Sequence, residues 1–345
     1  MIDIRSDTVT KPTPEMRRFM AEVEVGDDVF HEDPTVNALE EETAALVGME
    51  AALYVPSGTM GNQIGVWVNT REGDEVILER DCHIYNYEAG APALLSRVMI
   101  RTIQGRRGVI IADQVAAEIN PDNIHNAPTR LVCLENTHNR AGGAIYPLDE
   151  IACIGTLCRE RGLRLHLDGA RLWNASAATG ILEREYVRHV DTVSVCYSKG
   201  LGAPVGSALC GTNEVIARAR QRRKVLGGGM RQAGIIAAGA LYALRHHRER
   251  LPQDHANAKR LAGGIADMRG IRVDDAAVET NIVVIEIAPP VPAAEVSRRL
   301  QELGVLINPI RPTALRAVTH LDVSRADIDA AIEAFNKVTR ALSSR

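Results

Sequence analysis

Short aliphatic runs, each ending in polar or glycine-rich residues and followed by a stretch with helical spacing, recur along this chain and restrict its fold more than any other feature. Strands are expected at 51–55, 76–78, 130–134, 163–167, around Val193 and Val195, and at 208–210. Helices are expected at 15–22, from Asp33-Pro34 to a cap at Gly48, at 60–69, at 148–161 with Gly162 as cap, and from Leu172. Between 83 and 130 the helical signal is weak. Strands alternating with helices, several with polar ends, predict a mainly parallel α/β sheet with its site at the strands' carboxyl ends. Past Gly227-Gly228-Gly229 come helical stretches at 232–248 and 253–268, a strand at 282–287, a helix at 293–303, strands at 305–307 and 315–318, and a helix from Arg325. Three parts follow: an N-terminal arm at 1–14, a large domain at 15–250 and a smaller C-terminal α+β domain at 251–345, divided near Leu251-Pro252.

At 345 residues the chain is too long for one typical domain. Aromatic residues are only 3%, so the core must be aliphatic and alanine-rich. A net charge of −4 without a basic block argues against nucleic acid as partner, and the basic cluster at 218–224 reads as a solvated helix face. Six cysteines without a Cys-x-x-Cys pair, several inside apolar runs, read as small buried hydrophobes in a reducing compartment. The acidic start MIDIRSDTV is unlike a secretory signal, and the longest weakly polar run, 233–244, is too short and too Ala/Gly-rich to span a bilayer. A cytoplasmic protein with no membrane partner is expected.

The stretch 193–207, VSVCYSKGLGAPVGS, places Lys199 where a buried strand gives way to a glycine-rich loop. A lone lysine past a strand is ordinarily a surface residue. A desolvated one loses its proton more easily and becomes an amine nucleophile. Three other strand ends carry polar groups: Ser57-Gly58-Thr59 before a helix, His83, and Asp168, with Arg171 three residues further on. Such a helix start suits an anion, because its free N–H groups and dipole point at it. Together these are the parts of a pyridoxal 5′-phosphate (PLP) site. The lysine holds the cofactor, the aspartate faces its pyridine nitrogen, the helix start takes its phosphate, the imidazole stacks on its ring, and the arginine grips a carboxylate. No Walker loop or dinucleotide fingerprint is present. His31-Glu32-Asp33 lacks a partner set at metal-ligand spacing, so no metal is expected.

The stretches IDIRSDTVT (2–10), VGDDV (25–29), EDPTVNALE (32–40), PSGTMGN (56–62), LENTHN (134–139), HLDGARLWNA (166–175), SKGLGAPVGS (198–207), GGGMRQAGI (227–235) and VTHLDVS (318–324) run nearly end to end. With them the chain resembles the low-specificity L-threonine aldolases, of the beta-eliminating lyase group of fold type I (aspartate-aminotransferase-like) PLP enzymes. The resemblance implies a three-layer αβα large domain and a smaller α+β domain. It implies Lys199 as the residue bound covalently to PLP, Asp168 at the pyridine nitrogen, His83 stacked on the ring, and Ser57, Gly58 and Thr59 at the phosphate. Ser6, Arg171 and Arg316 would bind the substrate α-carboxylate, and Lys224 and Arg231 would help fix the cofactor phosphate. It further implies a homo-oligomer, a dimer of dimers, with sites between paired subunits. His83 and His125 are both candidates for the base. Two departures stand out. Phe30-His31 replaces the Tyr-Gly common in the family, and the spacing NPIRPTALR makes Arg311 a rival to Arg316. The activity implied is retro-aldol cleavage of L-threonine, L-allo-threonine and related β-hydroxy-α-amino acids to glycine and an aldehyde. The alternative is another PLP reaction on the same fold: β-elimination, racemisation or transamination.

Overall fold

In chain order the strands are β1 (Ile2–Asp3), β2 (Ala51–Val55), β3 (Glu75–Glu79), β4 (Met99–Ile103), β5 (Thr129–Glu135), β6 (Arg164–Gly169), β7 (Thr192–Cys196), β8 (Ser207–Gly211), β9 (Ile271–Arg272), β10 (Ile282–Ile287), β11 (Val305–Leu306), β12 (Asn308–Arg311) and β13 (Ala314–Val318). They come from a computed structural model that describes residues 1–343. Seven of them form one sheet in the order β2-β8-β7-β6-β5-β3-β4. The pairs β3–β4, β3–β5, β5–β6 and β6–β7 are parallel, and β8 runs antiparallel to both its neighbours. The carboxyl ends of β2, β3, β5, β6 and β7 therefore share one edge.

Period-2 alternation divides β2, β3, β5 and β8 between two cores, while β6 and β7 turn His166, Asp168 and Ser194 to their second face. On one face Tyr54, Val132, Leu134, Leu165, Leu167, Val193 and Val195 join the main core under the helices Pro34–Val47, Leu148–Arg161 and Gly234–His246. On the other, Leu53, Val55 and Leu209 pack with Ile64 and Ile216, and Val76, Leu78, Leu131 and Cys133 with Val66. Both faces are covered, which is why these strands read as near-continuous apolar runs.

The helices begin and end where their caps dictate. Asp33 accepts from the amides of Thr35 and Val36, Pro34 opens the first turn, and Gly48 closes the helix at φ 71°. Between 83 and 130 the structure contains elements the sequence hid: a short helix His83–Asn86, β4, and a helix Ala112–Glu118. The edge strand β4 exposes Met99, and the helix is only seven residues long, so neither carries a strong periodic signal.

The remaining strands form a four-stranded antiparallel sheet, β12-β13-β10-β9, and a two-stranded piece, β1-β11. The helices Leu251–Ile265, Ala293–Glu302 and Arg325–Ser343 pack there around Val283, Ile285, Leu315 and Phe335. The first residues are extended, as their prolines suggest, but are no free appendage. β1 pairs with β11, and Ile4 is fully buried in the second core. Among the described residues no helix is long and apolar enough to cross a membrane.

The basic stretch 218–224 is only partly a solvated face. Arg223 is buried, bonded to the Tyr54 carbonyl and paired with Asp28, and Arg222 lies over the Trp67 ring at 4.2 Å. Five of the six cysteines are buried and Cys153 is exposed; all are free.

Candidate active site

Asp168 is the penultimate residue of β6, in register with Glu135 on one side and Ser194 on the other. Its two oxygens are held by the Asn62 carboxamide at 2.8 Å and the Ala170 amide at 3.1 Å. Asn62 comes from the helix Gly58–Asn69 beneath the sheet edge. That helix approaches closely because a Cβ at Gly61 would lie 2.4 Å from Ser194 Oγ, and one at Gly65 2.6 Å from the His166 ring. Asn62 also donates to Glu88 at 2.8 Å, while its oxygen meets His166 Nε2 at 3.2 Å.

His83 opens the short helix after β3. Its backbone N–H donates to Glu135 at 2.6 Å, and its Nδ1 meets Glu88 Oε1 at 2.8 Å. Burial alone lowers its basicity, and Lys199 opposes its charge. The Glu88 hydrogen bond, with the charges of Asp168 and Glu88, outweighs both, so the His83 pKa is raised.

Lys199 follows β7 and is half-buried. Its ammonium has no ion-pair or hydrogen-bond partner among the described residues, yet it lies within the electrostatic reach of Asp7 and His83. Asp7 is fully buried and clasps Arg171 through two bonds of 2.7 Å, to Nε and Nη2. Burial pushes the Asp7 carboxyl up, but Arg171, with Lys199 and Asn281, pulls it down to about 2. Arg316 reaches in from β13 and donates to Asn139 at 2.8 Å, while its Nε is buried without a partner. Desolvation and the neighbouring Arg171 charge lower the Arg316 pKa. Two guanidinium groups within electrostatic reach of each other, one with an unsatisfied donor, could receive an anion. Arg311 lines the same cleft with Tyr87 and Arg140, but pairs with Glu286. Ser6 caps the turn Asp7–Val9, accepting from Thr8 at 3.2 Å.

Ser57 caps the helix Gly58–Asn69 by accepting from Met60, and Gly58 leaves the room that a Cβ, 2.7 Å from Cys196 Sγ, would fill. Lys224 and Arg231 are exposed on the segment whose Gly228 abuts Met60 in the first turn of that helix, and Arg231 pairs with Asp27 at 3.1 Å. The unpartnered lysine, the glycine cradle at a helix start and the fixed carboxylate of Asp168 fit PLP. Contacts and charges link His83, Asp168, Arg171, Lys199 and Arg316 at this edge, with Gly58 against Cys196 of β7; Ser6 adjoins Asp7 in the chain, and Ser57 and Thr59 flank Gly58. His125 stands apart. It lies on the exposed loop that leads into β5, so the full strand, about 20 Å, separates it from the site edge of its own protomer. Sequence reasoning missed Asp7, Asn62, Glu88, Asn139 and His166. Asp7, Asn62, Asn139 and His166 had a signal, since each lies in a stretch shared with the family; Glu88 had none, because its partners Asn62 and Gln63 come from a separate helix.

The fold defined by this sheet order, the second domain and the lysine after β7 is the fold type I architecture. A serine palmitoyltransferase from S. paucimobilis with bound PLP–myriocin matches it at a TM-score of 0.78, with 19% identity over all of this chain and 88% of that one. A threonine aldolase from Leishmania major matches at 0.85, with 19% identity over 98% of this chain and 100% of that one. The model of the beta-eliminating lyase family matches residues 3–288, and the chain belongs to that family. In sequence it is 44% identical, over 98% of its own length and 97% of the relative's, to the probable low-specificity L-threonine aldolase 2 of Arabidopsis thaliana.

Proposed function

We propose that this chain is a PLP-dependent aldehyde-lyase that cleaves L-threonine, L-allo-threonine and related β-hydroxy-α-amino acids reversibly to glycine and an aldehyde. The observation that carries the reading is the anion receptor of Arg171 and Arg316 beside an unpartnered Lys199. An amino-acid substrate brings a carboxylate to the first and an amine to the second. The choice of reaction rests on the likeness to the threonine aldolases of Arabidopsis and Leishmania.

In this reading Lys199 holds PLP covalently, Asp168 faces its pyridine nitrogen, His83 lies on its ring, and Ser57, Gly58 and Thr59 bind its phosphate with Lys224 and Arg231. The cofactor supplies the electron sink that takes up the bond pair left at Cα. Arg316, Ser6 and the free edge of Arg171 fix the substrate carboxylate. That contact sets which Cα bond stands perpendicular to the ring, and hence that Cα–Cβ breaks. His83, half-buried and raised in pKa, takes the β-hydroxyl proton as the aldehyde leaves. Asp168 is held in place by two N–H donors.

The reading includes an oligomer, a dimer of dimers in the cytoplasm, through which His125 of another copy reaches the site. The loops at 25–33 and 225–235 touch through the bond from the Asp28 amide to the Arg231 carbonyl, and both expose apolar side chains, Val25, Phe30, Val225 and Ile235. It also includes an arm at 1–14, a large domain at 15–250 and a small domain at 251–345. In support, Leu251 belongs to the first core and Ala258 to the second.

The test is product analysis. Purified protein loaded with PLP is given L-threonine or L-allo-threonine, and acetaldehyde and glycine are followed. Equal release of both products supports the aldolase. Ammonia and a keto acid instead of glycine would overturn it. A Lys199→Ala protein should lose at least about a thousandfold in rate, the scale typical of removing an activated nucleophile.

A further inference from the structure

Glu88 is a carboxylate with no exposed side-chain surface, on the turn that follows the short helix His83–Asn86. An isolated buried charge is costly, so its environment must compensate it. Three donors do so: His83 Nδ1 and the Asn62 carboxamide at Oε1, each at 2.8 Å, and the Gln63 carboxamide at Oε2. Two of these are neutral. Among the described residues His83 is the sole ion-pair partner of Glu88. Asn62 gives one N–H to Glu88 and one to Asp168, so the two carboxylates are tied to one rigid amide.

We infer that Glu88 is the positioning residue of the site: it holds His83 with the proton on Nδ1 and leaves Nε2 as the nitrogen that takes the substrate's β-hydroxyl proton. The proton-transfer half of this rests on the aldolase reading; the Glu88–His83 pair does not. Both Glu88 oxygens already accept an amide N–H, from Asn62 and Gln63, so the arrangement favours the ring nitrogen 2.8 Å from Oε1 as a donor. When Nε2 takes the proton, the imidazolium gains the Glu88 charge as counter-ion. As O–H breaks, Cβ–O becomes a carbonyl, the Cα–Cβ pair stays on Cα, and the proton rests on Nε2 until it is returned. The charged and polar groups that face His83 are Glu88 on the same turn, Asp168 from β6, Glu135 from β5 at its backbone N–H, Lys199 after β7, and the Tyr87 ring at 5.5 Å. Lys199 alone opposes a positive imidazole; the two nearest acids favour it.

The experiment uses the PLP-loaded protein labelled with 15N and 13C in histidine. The ring signals of His83 are identified by their loss in His83→Asn. The 15N shifts above the titration report which nitrogen keeps its proton, and the carbon shifts follow the titration. The expected result is the Nδ1–H tautomer with a pKa above the ordinary value. In Glu88→Gln the pKa should fall by at least about one pH unit. The acid limb of kcat/KM for threonine should move down with it, and Glu88→Asp should restore most of the shift. An Nε2–H tautomer in the parent, or a His83 titration unchanged in Glu88→Gln, would overturn the inference. Should Glu88→Gln not fold, the tautomer of the parent decides alone. If the tautomer is Nδ1–H but threonine yields no glycine, the pair stands and the aldolase reading falls.

Discussion

The decisive interactions at the residue scale are those of Arg171 and Arg316. Arg171 is a common residue type at a strand end, and its value to the site comes from Asp7, 164 positions away, which aligns the guanidinium by two parallel bonds. Truncating Asp7 would leave a buried cation uncompensated, so Asp7→Ala should harm folding as well as activity. Arg316 offers the sharper test, because its Nε has no partner. Arg316→Ala should raise KM for threonine at least about tenfold, the equivalent of one charge-assisted hydrogen bond, with binding of PLP unchanged. Arg311→Ala should change KM less than about twofold, since it removes a surface pair. Steady-state kinetics of the two variants side by side checks this, and the reverse ranking would transfer the carboxylate to Arg311. The sequence left these two arginines open because they lie five residues apart on neighbouring strands of a hairpin. Only the side-chain partners, Glu286 for one and Asn139 for the other, tell them apart.

Among the elements, the helix Gly58–Asn69 does most to assemble the site. Its start presents Ser57, Gly58 and Thr59, and its second turn carries Asn62 and Gln63 to the two buried carboxylates. Gly61 and Gly65, one turn apart on the same face, let it lie directly on β7 and on His166 of β6. Gly65→Ala places a methyl 2.6 Å from an imidazole locked between Asn62 and Thr192, so the helix must shift. The expected cost is about 1–3 kcal/mol, as for overpacking, and the displaced Asn62 should weaken PLP retention. Gly73→Ala is the control. It meets open space but has φ +86°, so it should cost only backbone strain and leave the cofactor in place. Thermal unfolding and the absorbance of bound PLP measure both effects. A helix from about residue 60 was legible in the amphipathic spacing and the Ser57 cap. That its small face meets a histidine beneath Asp168 was not, because glycine spacing alone does not identify the facing strand.

At the scale of the whole molecule, hydrogen bonds join the elements around the second core to those around the first. Arg316 bonds Asn139, Asn281 bonds Asp7, and Thr280 donates to the Gly143 carbonyl. The candidate site thus draws side chains from elements of both cores, and buried histidines couple stability to pH. Burial lowers His166 and His255 to about 4, against an ordinary 6.5. For these two the unfolded chain binds protons that the folded chain refuses. Stability therefore falls as pH drops from about 6.5 to 4, by up to about 3 kcal/mol for each. His83 and His138 have raised values, so their contribution is full below 6.5 and is lost as pH rises through their folded values. The unfolding midpoint should accordingly peak near pH 6.5 and decline on both sides. A midpoint that is flat between pH 4 and 6.5 would contradict the neutral burial of His166 and His255.

The sequence by itself determined most of the strands and helices of the large sheet, β4 excepted, and placed Asp168, Lys199 and Arg171 at or just past strand ends. Those follow from local periodicity, capping residues and chain connectivity, which neighbouring residues encode. It could not determine the Asp7–Arg171 clasp, the choice between Arg311 and Arg316 or the Asn62–Glu88–His83 network. Each is a pairing of buried polar groups whose energy depends on distance and desolvation. Those quantities exist only once β3, β5, β6, β7 and β13 have been brought to one edge.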